Sequence, residues 1–138
     1  GWVITTSRLW RTRAVGPEQP DFTNAAATVH WPGSPISLLE RCRDLERQAG
    51  RDRATEERWG PRPLDLDLLL AEGVICTGPK LQLPHPRFHE RRFALEPALE
   101  VAPEWVHQLL GRTVTELAEA ARPTMDDQSV RALEPGES

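Results

Sequence analysis

The residues best placed to do chemistry are Asp65 and Asp67, in the run LDLDLLL from Leu64 to Leu70. In a strand, side chains at i and i+2 share a face. Both carboxylates then point the same way, about 7 Å apart along the chain, while Leu64, Leu66, Leu68 and Leu70 point the other way into a core. Two like charges side by side repel, and a cation relieves that cost. Oxygen ligands with no His or Cys beside them suit Mg2+. Taken alone, the pair reads equally well as the solvated outer face of a sheet.

The preceding loop shifts that balance. Arg51, Arg53, Arg58 and Arg62 surround Trp59 within 51–63, a stretch without apolar periodicity that reads as a long, mobile loop. Arginine makes bidentate contacts to phosphate oxygens. A basic loop beside a Mg2+ site is what a nucleoside triphosphate requires, since metal and guanidinium together neutralise phosphate charge. Asp52, Glu56 and Glu57 partly balance these arginines, so a solvated charge run is the plainer alternative.

A second polar cluster comprises Lys80, Gln82, His85, Arg87, Arg91 and Arg92. His85, between two prolines, would serve equally well to fill a turn. Phe22 and Phe93 offer flat faces for a heteroaromatic substrate and Asn24 an amide for its edge, although each ring would also suit a core. No Ser-His-Asp or Cys-His order supports nucleophilic hydrolysis. The sequence has no Gly-rich Walker loop and no GxGxxG, which excludes a P-loop or Rossmann grip as a sequence argument.

These residues sit in longer runs, ERWGPRPLDLDLLL (57–70) and LPHPRFHERRFALEPALEVAPE (83–104), which closely resemble the hydroxymethyldihydropterin pyrophosphokinases of folate biosynthesis. RLWRTRAVGPEQPDFTNAAA (8–27) fits the same family, and the resemblance runs collinearly over about residues 3–118. It implies transfer of a pyrophosphoryl group from ATP to the 6-hydroxymethyl group of a dihydropterin, with release of AMP. It implies that Asp65 and Asp67 hold two Mg2+ ions, with Arg51, Arg53 and Arg62 as the basic catalytic residues. Glu46, Leu68, Lys80, Gln82, His85 and Arg91 match positions around ATP, and Thr12, Val15, Phe22, Asn24, Trp59 and Phe93 positions around the pterin.

The implied fold is α+β, a ferredoxin-like antiparallel sheet with flanking helices in an α/β/α sandwich. Four positions depart from the family pattern. Arg13 stands where Pro is frequent, Phe22 where Tyr is, Arg43 where a Gln often lies near the nucleotide, and Pro86 where an aromatic is common. The family also opens with a strand, a Gly-Ser-Asn turn and a helix. This chain starts at Gly1, with Met125 its only Met, so a segment of roughly 25–30 residues is expected upstream.

The elements that must position these groups can be read from local signals. Residues 2–12 and 22–31 read as strands, separated by a loop at Arg13–Asp21. A helix is expected over 35–49, capped by Ser34, with Pro35 in its first turn and Gly50 as its stop. Residues 64–70 read as a strand that turns at 71–73 and returns through Val74–Cys76. Residues 77–86 read as an irregular connector. A helix from about Arg87 to Glu96 should stop near Pro97, and Thr113 should cap a last helix to Ala121. The polar tail, 122–138, reads as disordered, leaving a domain over 1–121.

Composition sets the class. The chain has 138 residues, 38% hydrophobic and 28% charged, in keeping with one folded domain. Its net charge of -4 argues against a general nucleic-acid binder. No apolar run approaches the roughly 20 residues of a membrane span. Cys42 and Cys76 have no metal-binding spacing and read as free thiols of a reducing cytosol, with one disulfide between them as the alternative. The resemblance implies ATP and the dihydropterin as partners, with other folate-pathway enzymes fused or adjacent, and the composition adds neither nucleic acid nor membrane. Two rival readings are a non-catalytic ATP- or pterin-binding remnant and a metal-dependent nucleotide-sugar enzyme built on Asp65-Leu66-Asp67.

Overall fold

The computed structural model describes residues 2–12, 22–50, 64–122 and 130–133. Residues 2–12 form two strands rather than one, β1 (Val3–Thr6) and β2 (Trp10–Thr12). They face β4 (Ala27–Val29) and β3 (Phe22–Asn24) respectively, both antiparallel. Ser7 marks the break. Its N–H donates to the Ala26 carbonyl at 2.8 Å and its hydroxyl accepts the Ala26 N–H at 2.8 Å. The β-branched run thus folds as an antiparallel ribbon interrupted by one polar side chain that bonds backbone directly.

The far edge of β2 carries a further strand, β9 (Val130–Ala132), with Trp10 opposite Ala132 and Thr12 opposite Val130. This corrects the reading of a disordered tail for these residues. Val130 and Leu133 are buried, and Leu133 N–H bonds the Leu9 carbonyl at 2.8 Å. Two apolar side chains and an open strand edge are enough to seat a segment whose composition is otherwise polar.

Helix α1 (Pro35–Gln48) forms where its signals place it. The Ser34 hydroxyl accepts the Ser37 N–H at 3.2 Å, Pro35 occupies the first turn, and Gly50 takes φ 107° just past the end. That backbone angle is open to glycine and strained for residues with a Cβ. Cys42 and Glu46 are the buried residues of this helix.

The expected strand at 64–70 does not form a β ladder among the described residues. Its alternation survives: Asp65 and Asp67 are exposed, while Leu64, Leu66 and Leu68 are half-buried. Its backbone is satisfied by other means. Leu66 N–H goes to the Glu46 carboxylate, Leu66 C=O to Arg43, and Leu69 C=O to the His85 N–H. The turn closes as expected at Gly73 (φ 69°), but the chain does not return onto 64–70. Instead β5 (Cys76–Thr77) pairs with β6 (Gln82–Leu83), inside the stretch read as an irregular connector.

The helix expected from Arg87 begins as a 3-10 turn, Phe88–Glu90, followed by α2 (Arg92–Val101). Pro97 lies inside α2 and does not end it. An interior proline forfeits one backbone hydrogen bond and strains the turn, at about 3 kcal/mol. Leu95, Glu96, Pro97 and Ala98 are all buried here, and burying a single leucine side chain returns roughly 1.5–3 kcal/mol. A short pair, β7 (Val106–His107) and β8 (Arg112–Thr113), leads into α3 (Val114–Ala121). Thr113 and Glu116 form a reciprocal capping box at the start of α3.

The core lies between α2 and α3. Phe88, Leu95, Ala98, Val114, Leu117, Ala118 and Ala121 pack together, with Leu69, Leu70 and Trp105 against them. The acidic segment is therefore anchored to this core by its last leucines. Glu100 of α2 holds the ribbon in place by accepting the Arg8 N–H at 2.9 Å and the Trp10 indole N–H at 2.8 Å. The architecture is α+β, with small antiparallel sheets and flanking helices. Among the described residues no helix is long and apolar enough to cross a membrane, and Cys42 and Cys76 are both free thiols.

Candidate functional site

Asp65 and Asp67 present their carboxylates to solvent, separated by the half-buried Leu66. Behind them stands α1. Glu46 Oε2 accepts the Leu66 N–H at 2.7 Å, and Arg43 Nη1 donates to the Leu66 carbonyl at 3.1 Å. The same Arg43 nitrogen lies 2.6 Å from each Glu46 oxygen. The hydrogen bond to Glu46 holds the guanidinium firmly protonated, and the charge of Asp67 adds to this. Glu46 itself is only 2% exposed. The residue expected among the ATP contacts is thus buried, with its carboxylate turned to Arg43 and Leu66. The Cys42 thiol beside it is pushed up chiefly by burial.

His85 is tied to the same segment. Its N–H bonds the Leu69 carbonyl at 2.8 Å, and its Nδ1 accepts the Arg87 N–H at 3.1 Å. With Nδ1 accepting, a neutral ring carries its proton on Nε2 and offers one donor outward. Burial lowers the imidazole's affinity for a second proton, and the Arg91 charge lowers it further, while Asp67 acts in the opposite direction. Asp67, His85 and Arg91 therefore share one electrostatic neighbourhood.

Arg91 immediately precedes α2 and lies over the Phe93 ring, 5.6 Å from its centroid. Phe93 is exposed in the first turn of that helix. Lys80 and Gln82 are also exposed, alternating with buried Leu81 and Leu83, so both face outward around β6. Leu68 is half-buried directly after Asp67. Thr12 of β2 and Asn24 of β3 meet, Asn24 Nδ2 lying 3.5 Å from the Thr12 hydroxyl. Helix α2 packs against both of these strands. Phe22 opens β3 opposite Thr12. Val15, Arg51, Arg53, Trp59 and Arg62 lie outside the described residues.

A model of the 7,8-dihydro-6-hydroxymethylpterin-pyrophosphokinase (HPPK) family matches residues 1–103. The chain belongs to this family. It is 41% identical over 113 residues to a 2-amino-4-hydroxy-6-hydroxymethyldihydropteridine pyrophosphokinase of Synechocystis, covering 82% of this chain and 57% of that protein. The enzyme of the same name from Haemophilus influenzae is 38% identical over 105 residues, 75% of this chain and 64% of that protein. The one from Methylorubrum extorquens is 41% identical over 115 residues, 83% of this chain and 70% of that protein. The chain thus spans less than two thirds of the length of the first two relatives.

In this HPPK-family chain, no group of three or more His, Cys, Asp and Glu gathers among the described residues as a metal cage. Two exposed carboxylates remain, and this donor set fits Mg2+. That ion is commonly bound through one or two carboxylates, its other positions filled by water and substrate phosphate oxygens. Asp65 and Asp67 are the residues that would hold it.

In the sequence, Arg43 stands out only as a departure from a family pattern. Its bond to the Leu66 backbone is invisible in the sequence, although the i, i+3 spacing of Arg43 and Glu46 on α1 could have marked them as a pair.

Proposed function

We propose that this chain transfers pyrophosphate from ATP to 6-hydroxymethyl-7,8-dihydropterin and releases AMP, as a step of tetrahydrofolate biosynthesis. The observation that carries the proposal is the exposed Asp65–Asp67 pair, with Asp67 in one field with His85 and Arg91, in a chain of the HPPK family. In the reaction the pterin hydroxyl oxygen bonds to the β-phosphorus and the bond from that phosphorus to the α–β bridging oxygen breaks. The hydroxyl proton passes to solvent, and AMP leaves.

The residues divide this work. Asp65 and Asp67 would hold two Mg2+ ions, which when bound supply charge neutralisation along the triphosphate. Neutral His85 donates Nε2–H to a phosphate oxygen, and Arg91 adds a fixed positive charge. Lys80, Gln82 and Leu68 line the nucleotide. Arg51, Arg53 and Arg62 neutralise charge that develops in the transition state. Phe22 and Phe93 sandwich the pterin, Asn24 reads its edge, and Thr12, Val15 and Trp59 complete that pocket. The exposure of Phe93 supports its place here, because a large apolar ring left in solvent is available to a planar ligand.

The same reading extends to the finer architecture and setting. It assigns a ferredoxin-like sheet in an α/β/α sandwich, a cytoplasmic location, small-molecule partners only, and fusion or adjacency to other folate-pathway enzymes. The test is to incubate the chain with ATP, Mg2+ and the dihydropterin and to separate the nucleotides. AMP forming in step with pterin diphosphate is the expected result. A cooperatively folded chain that forms no AMP at saturating substrates would overturn the assignment.

A further inference from the structure

Leu66, the residue between the two site carboxylates, has both of its backbone polar groups bonded to side chains of α1. Glu46 Oε2 takes the N–H at 2.7 Å, and Arg43 Nη1 gives a hydrogen bond to the carbonyl at 3.1 Å. The two side chains are joined at 2.6 Å. In an antiparallel ladder, one residue of the neighbouring strand supplies this acceptor and this donor. Here a guanidinium–carboxylate pair takes the place of that residue.

We propose that Arg43 and Glu46 are positioning residues that lock the Leu66 peptide and thereby fix the direction and register of Asp65 and Asp67. The proposal rests on the reading of these aspartates as the metal-holding carboxylates.

The physical need is clear from the sequence of the segment. Its side chains alternate with a period of two, so a slip of one residue would exchange Asp65 and Asp67 for leucines on the site face. Burial of the leucines resists such a slip, but Leu64, Leu66 and Leu68 are only half-buried. The clamp adds a contact that recognises one peptide, the one flanked by both aspartates. It is held rigidly, since Arg43 and Glu46 are three residues apart on one helix face.

Glu46 is fully buried, and a carboxylate in that position is costly unless its partners hold it. Arg43 also lies within reach of the Asp67 charge, so the clamp places a cation behind a pair of like charges. Glu46 acts on this reading through Leu66 and not by touching the nucleotide.

The test separates positioning from plain support of α1. Mn2+ binding to the full chain, with α,β-methylene ATP present, is followed by electron paramagnetic resonance of the free ion. Exchange of the Leu66 amide proton is measured on the same samples by NMR. Glu46→Gln should speed Leu66 exchange by about tenfold or more and weaken Mn2+ by about 10–100-fold, the range for partners behind metal ligands. The amides of α2 and α3 should keep their protection. Arg43→Met should weaken Mn2+ in the same direction, and Arg43→Lys should recover part of the loss.

If Glu46→Gln does not fold, Arg43→Met carries the same two measurements. Lower thermal stability with Mn2+ binding and Leu66 exchange both unchanged would overturn the proposal. The metal reading beneath it is checked independently by Asp67→Asn. If that variant binds Mn2+ as the parent does, the assignment of the aspartates is what fails, while Leu66 exchange still reports on the clamp.

Discussion

Arg122 meets Glu96 through two hydrogen bonds of 2.8 Å, Nε to Oε2 and Nη2 to Oε1. Arg92 adds a third at 3.1 Å, one turn before Glu96 on α2. A single carboxylate thus joins the end of α3 to α2. Glu96 is 2% exposed, so removing it would leave Arg92 buried without this partner. Breaking a buried pair on one side costs about 3–5 kcal/mol. Glu96→Ala should therefore lower the unfolding free energy by that amount, read as a lower urea midpoint with the slope unchanged. A loss under about 1 kcal/mol, the value of a surface pair, would show that the triad contributes little.

The same carboxylate gives the fold an acid-sensitive component. Hydrogen bonding to Arg122 is the largest cause holding Glu96 below the usual carboxylate range, with Arg92 acting in the same direction and burial against it. A group whose pKa is lower in the folded state binds fewer protons there than when unfolded. Its contribution is therefore present above its unfolded pKa of about 4.3 and is lost as pH falls through the lower folded value. Urea midpoints of the parent and Glu96→Gln, measured from pH 7 downward, should converge only below about pH 4. A gap that stays constant down to strong acid would refute this linkage.

Asp67 is exposed, and its substitution should separate chemistry from stability. Asp67→Asn should change the unfolding free energy by no more than about 0.5 kcal/mol, as at other exposed positions. It should lower metal-dependent AMP formation by a factor on the order of 100–1000, the scale on which single charge-stabilising groups act in catalysis. Turnover at the parent rate would remove Asp67 from the site.

Phe93 is exposed on the first turn of α2, beneath Arg91. If its ring stacks on the pterin, Phe93→Ala should raise the pterin KM about tenfold, in line with roughly 1.4 kcal/mol of lost aromatic contact. Phe93→Tyr should retain the parent KM. Equal losses from both variants would point to disturbed helix packing and away from stacking.

Helices α1 and α3 were legible because their start signals act within a few residues: Ser34 bonds Ser37 N–H, and Thr113 with Glu116 closes a capping box. The alternation of Asp65 and Asp67 with leucines was legible for the same reason, since it needs only a period of two. The expected ladder at 64–70, the end of the helix at Pro97 and the disordered tail at 130–133 were misread. Each depends on what a remote part of the chain brings to it.

The sequence by itself determined the family, the helix caps and the pair of carboxylates, because these are carried by residue type and short spacing. The tertiary structure decided which groups take up the Leu66 backbone, that burial keeps Pro97 inside α2, and that β9 closes on β2. It also brought His85 and Arg91 into the field of Asp67 and turned Glu46 inward. Hydrogen-bond partners and burial are properties of the folded contacts, and those form between segments far apart in the chain.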